Sequence, residues 1–224
     1  MNNSEFYDWL DTISPRLQIR KDSFYKIFNY LDKLPDPIII VETGCLRIKN
    51  NFSDGQSTLL FDKYTQFRKN NSKVFTVDID PNATKICSEN VSKNVSIHTG
   101  DSVKYLNELS EEFIANKITV SLFYLDSFDC DWKAPEQSSQ HHLKELVSIK
   151  KLLKKDTLVV VDDSPIVGYL QQSKIKNDAL ELIPPGLVPG PSISGKGNLV
   201  HEYAVQTGAK MLFSNYQTGW IGFN

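Results

Sequence analysis

Acidic residues recur at one kind of place in this chain, directly after a short apolar run: Glu42-Thr43-Gly44, Asp78-Ile79-Asp80, Gly100-Asp101-Ser102, Asp126-Ser127 and Asp162-Asp163. One Asp in such a place is an ordinary helix cap. A whole series of them gathers carboxylates, and a site rich in carboxylates but poor in Lys and Arg repels phosphate groups. It suits ribose hydroxyls, an adenine amino group, a sulfonium cation or a divalent metal.

The apolar runs themselves, 38–41, 74–77, 95–97, 120–125 and 158–161, alternate with stretches patterned for helices at about 56–69, 82–90, 102–115 and 136–154. Strands apolar on both faces and separated by helices predict a doubly wound α/β domain with a mostly parallel sheet and helices on both faces. Ligands of such sheets bind outside the carboxyl ends of the strands, where helix N-termini and loop amides point. The acids that close the runs therefore belong at the site.

Before the first run, Leu17, Phe24, Ile27, Phe28 and Leu31 have helical spacing and predict one amphipathic helix over 15–33. Residues 1–37 read as an N-terminal helical segment and 38–224 as the main domain. Residues 183–197 hold Pro184, Pro185, Pro189 and Pro191 with four glycines, which predicts a long loop. A helix over 198–207, a strand at 211–213 and a closing strand at 220–223 follow. Ser194-Gly195-Lys196-Gly197 offers backbone amides and one cation, either a hook for a substrate phosphate or carboxylate or a surface loop with a solvated lysine.

Composition narrows the classes. The 224 residues are 40% hydrophobic, and 25 Lys and Arg against 27 Asp and Glu give a net charge of −2. That fits one globular domain and lacks the basic excess of a nucleic-acid or anionic-membrane binder. No apolar run approaches the roughly 18 residues of a membrane span, and the first residues do not form a signal peptide, so a cytoplasmic protein is expected. Cys45, Cys87 and Cys130 contain no C-x-x-C pair and support neither a disulfide framework nor a zinc site.

The motifs resemble those of class I S-adenosylmethionine-dependent methyltransferases, with their Rossmann-like, seven-stranded fold. Glu42-Thr43-Gly44, followed by Gly55-Gln56-Ser57, is similar to the first motif, with Cys45 to Ser53 inserted between its halves. Val77-Asp78-Ile79-Asp80-Pro81 is similar to the second, whose acid takes the ribose; this implies Asp78, with Asp80 capping the next helix. Gly100-Asp101-Ser102 is similar to the third, at the adenine. The resemblance thus implies a cofactor site of Glu42, Thr43, Gly44, Gly55, Ser57, Asp78, Asp101, Ser102 and Asp126. The tight G-x-G-x-x-G turn of a nicotinamide-binding domain is absent.

Within that superfamily, Asp126 and the pair Asp162-Asp163 resemble the acids of metal-dependent O-methyltransferases of the catechol and sugar or antibiotic types. The resemblance implies Mg²⁺ (or Mn²⁺) on Asp126, Asp162 and Asp163, and a small hydroxylated acceptor. Those relatives carry Lys or His three residues after the first of these acids, where this chain has Asp129. The candidates for the base are therefore His141, His142 and Asp129, with His142 also shaped for helix packing. The alternative is a catalytically silent cofactor-binding module serving as a partner subunit. Neither nucleic acid nor membrane is expected as a partner, and association between copies of the chain stays open.

Overall fold

The computed structural model describes residues 4–52, 56–68, 70–166, 173–176, 179–182 and 193–223. Helix α1 (Ser4–Ile13) continues through a 3-10 segment (Ser14–Arg20) into α2 (Lys21–Leu31). The single helix expected over 15–33 is thus broken at its start. Pro15 opens the tighter turn and Gln18 takes φ +50°, a left-handed value incompatible with a continuous helix. Arg20 ends the 3-10 segment, and its side chain meets Asp162 and Asp163, as described below.

Alternation follows: β1 (Ile39–Thr43), α3 (Ser57–Arg68), β2 (Lys73–Asp78), α4 (Pro81–Ser88), β3 (Val95–Thr99), α5 (Ser102–Ala115), β4 (Leu122–Leu125), α6 (Glu136–Ile149) and β5 (Leu158–Val161). A separate hairpin of β6 (Ser173–Lys176) and β7 (Ala179–Leu182), absent from the expectation, precedes α7 (Asn198–Thr207), β8 (Lys210–Ser214) and β9 (Thr218–Ile221). The main sheet has the order β3-β2-β1-β4-β5-β9-β8. Strands β1 to β5 are parallel, and β9 runs antiparallel to both its neighbours.

The central strands β1, β4 and β5 are buried along their whole length, as a parallel sheet covered on both faces requires. Their side chains alternate between two cores. Ile40, Tyr124 and Val160 meet Phe6, Phe24, Phe28 and Phe61 of the N-terminal helices and α3. Val41, Leu125 and Val161 meet Leu106, Phe113, Leu146 and Val200 of α5, α6 and α7. The N-terminal helical segment therefore shares its core with the sheet. Among the described residues, no helix is long and apolar enough to cross a membrane. This is an α/β fold with a mostly parallel seven-stranded sheet, compatible with a Rossmann-like architecture.

Candidate functional site

Because β1 pairs with β2 on one side and β4 on the other, the chain reverses its direction of travel across the sheet there. The carboxyl ends of strands at such a reversal leave a crevice between diverging loops. A cleft is found there, lined by Gly44 to Arg47, Gln56, Ser57, Asp78, Asp126 and Ser127. Gly44 makes the approach possible: at φ +79° a Cβ on it would lie 2.5 Å from the Asp126 carbonyl oxygen. The backbone amides of Cys45 and Asp80 donate to the two oxygens of Asp78 at 3.1 and 2.9 Å. That fixes the carboxylate while leaving part of its roughly four acceptor positions unused.

A second hollow shares Asp78 and Ser127 with the first and continues past Gly100, Asp101, Ser102, Phe128 and His141. Asp101 caps α5, accepting from the Lys104 amide at 2.8 Å, and Asp80 caps α4 through the Asn82 amide. Nε2 of His141 lies 2.9 Å from the Ser102 hydroxyl and 3.4 Å from Glu145, which is fully buried. Glu145 also accepts from the hydroxyls of Ser127 and Thr43. Burial would raise its pKa, but His141, His142 and the two serines bring it below the ordinary value.

Two of the expected cofactor residues stand behind the cleft wall rather than on it. Glu42 is wholly buried, accepting from Thr58 and Thr76, and Thr43 is turned toward Glu145. Burial pushes the Glu42 carboxyl up to about 7, against the lowering effect of neighbouring hydroxyls. Its Oε1 has no hydrogen-bond partner among the described residues. Gly44, Ser57, Asp78, Asp101, Ser102 and Asp126 do line the two hollows. Gly55 lies outside the described residues, as do 183–192 of the expected loop.

Beyond the cleft, at the ends of β4 and β5, Asp126, Asp162 and Asp163 come together as the motifs implied, but with partners the motifs did not show. Nε of Arg20 contacts both oxygens of Asp162 at 3.1 and 2.9 Å, and its Nη2 reaches Asp163 at 3.0 Å. Lys196 places Nζ 3.0 Å from Asp163 and in direct contact with Oδ1 of Asp126. Asp162 further accepts from the Tyr124 hydroxyl and the Asp163 amide. The Arg20 guanidinium also stacks over the Tyr216 ring, 4.6 Å from its centre.

Burial alone would lower the pKa of Lys196; Asp126, Asp163 and Asp162 outweigh it and keep the ammonium charged. Asp163 is likewise held below the ordinary range despite its burial, by Lys196, the Tyr216 hydroxyl and Arg20. Burial, opposed by Lys196 and reinforced by the other two acids, pushes Asp126 well above it. Of the three acids, Asp126 is the member that opens to the cleft.

The base candidates do not meet at this corner. His142 is fully buried with Nδ1 on the Ser138 carbonyl, and burial pulls its pKa down to about 4, so it is a neutral packing residue. Its place on α6 faces the interior, which removes it as a base. His141 lies at the Asp101 end of the cleft. Asp129 is exposed and paired at 3.0 Å with Arg47, from the loop after β1. Arg20, Arg47, Glu145 and the inward course of Lys196 were missed in the sequence; the glycines flanking Lys196 were the one available signal. Scans against known protein families and against curated proteins find no match to this chain.

Proposed function

We propose that the chain is an S-adenosylmethionine-dependent methyltransferase acting on a small hydroxylated acceptor, a sugar or secondary metabolite. The observation that carries this reading is the convergence of three separate segments on two adjoining hollows at the strand reversal, which share Asp78 and Ser127. The loop after β1 lines the first, Asp101-Ser102 after β3 the second, and Asp78 at the end of β2 both. When bound, S-adenosylmethionine supplies a methyl group already activated by its sulfonium.

In this reading Asp78, anchored by two backbone amides, accepts from the ribose hydroxyls. Asp101 and Ser102 face the adenine, and Gly44 to Arg47 with Ser57 hold the amino-acid end. Asp126, the carboxylate shared between cleft and acidic corner, faces the cationic centre and stands ready to take the acceptor's hydroxyl proton. The Mg²⁺ or Mn²⁺ expected on Asp126, Asp162 and Asp163 does not fit these residues as arranged. Arg20, Tyr124 and a backbone amide already use the oxygens of Asp162, and Lys196 stands on the other two acids.

Calorimetry with S-adenosylhomocysteine tests the proposal. Binding is expected in the wild type, and Asp78→Ala is expected to weaken it by about ten-fold or more, because a charge-assisted hydrogen bond is worth roughly 1.5–3 kcal/mol. Absence of heat, or equal affinity in the variant, defeats the reading. One observation favours a silent cofactor-binding module: neither His141, His142 nor Asp129 reaches the acidic corner. Binding without turnover across a panel of hydroxylated acceptors would select it.

A further inference from the structure

We infer that Lys196 is the resident cation of the acidic corner, standing where the methyltransferase resemblance puts a divalent metal, so that the cleft works without one. The inference deepens the proposed function and rests on it for the ligand-binding half alone. Its electrostatic half stands on the geometry.

Lysine is rarely buried unless paired, and Lys196 is 1% exposed. The chain is shaped to bring it in. Gly195 has φ +62°, and a Cβ there would lie 2.1 Å from the Asp163 carbonyl oxygen; one on Gly197 would lie 2.5 Å from Cβ of Ser164. Only glycine at both places lets the segment press this close. The Lys196 amide donates to the Asp163 carbonyl at 3.1 Å and the Ser194 amide to the Pro165 carbonyl at 3.0 Å. Backbone and side chain of Lys196 are thus both tied to the turn that carries the acids. The expected anion hook is a hook, and the anions it holds are the protein's own.

A metal ion at the corner would have to displace this ammonium from its partners or share the same oxygens with it, two cations in contact. Among the described residues, no group of three or more His, Cys, Asp or Glu side chains is arranged to hold a metal ion. Lys196 fixes Oδ1 of Asp126, the carboxylate that lines the cleft. It acts through that acid and is therefore a positioning residue.

The test is a titration with Mn²⁺ followed by electron paramagnetic resonance of the free ion, on the wild type, Asp163→Asn, Lys196→Ala, and Lys196→Ala with Asp163→Asn. The wild type is expected to take up no stoichiometric Mn²⁺. Lys196→Ala is expected to gain one site, visible also as a rise in melting temperature with Mn²⁺, and the added Asp163→Asn to lose it. One equivalent of Mn²⁺ on the wild type, abolished by Asp163→Asn, overturns the inference, and the wild-type arm decides even if Lys196→Ala fails to fold. A folded Lys196→Ala that gains no site overturns it too, since the acids then do not define a cation position. Calorimetry of the wild type with S-adenosylhomocysteine in EDTA and in Mg²⁺ is the second arm, with equal affinity expected. A requirement for Mg²⁺ overturns the inference, whereas absence of binding in both buffers, with no Mn²⁺ uptake, defeats the methyltransferase reading and leaves the resident cation intact.

Discussion

The two ends of the strand-edge site treat their carboxylates in opposite ways. At β2 and β3, Asp78 and Asp101 are met by backbone amides a few residues to some tens of residues away and stay open to the cleft. At β4 and β5, Asp126, Asp162 and Asp163 are met by two cations from remote parts of the chain, and Asp162 is sealed. Acids held by amides keep spare acceptor positions for a ligand. Acids held by buried cations are tied into the fold, and of these three it is Asp126 that lines the cleft.

The contrast breaks most visibly at Lys196. Removing one partner of a buried ion pair strands the other, at a typical cost of about 3–5 kcal/mol, so Lys196→Ala in metal-free buffer is expected to lose that much in urea unfolding. Asp78→Ala is expected to leave stability almost unchanged while losing affinity. If both variants unfold alike, the two ends are not different in kind.

A smaller effect comes from His142. Its folded pKa of about 4 lies below the usual value, so the unfolded chain binds the proton more readily. Stability from this group is present at neutral pH and is lost as pH falls from about 6.5 toward 4, by about 2 kcal/mol at pH 5. Glu145, also depressed, acts in the same direction below the ordinary glutamate range. Glu42 is raised to about 7 and acts oppositely, its contribution fading as pH rises through that value. Unfolding midpoints of wild type and His142→Gln at pH 7 and pH 5 isolate the histidine: the variant should show the shallower loss. The smallest expected effect is at Asp101, where Asp101→Ala removes a helix cap worth about 1 kcal/mol; a thermal melt reads it.

The elements that could be read in advance are those whose causes are local. Helices 102–115 and 198–207 and strand 158–161 lie where the pattern put them, and Asp80 caps α4 as expected. The acids at strand ends were legible for the same reason, since a strand's last residue and its side chain come together. Arg20 meets Asp162 across 142 positions and Lys196 meets Asp126 across 70, and no spacing rule joins residues so distant. His142 shows what helical spacing can still tell: it shares a face with Leu146 and Ile149, which pointed to packing, and it is fully buried, whereas His141 on another face lines the cleft.

The clamp around Lys196 also closes a neck. Ile166 and Ile193 form a bridge, and the Ser194 amide donates back to the Pro165 carbonyl, so two points far apart in sequence are held side by side. The entropy of joining those ends is met by contacts within the domain and grows only slowly with the length between them. The bridge, rather than the stretch between its two ends, therefore sets where Ser194 to Lys196 lie against the acids.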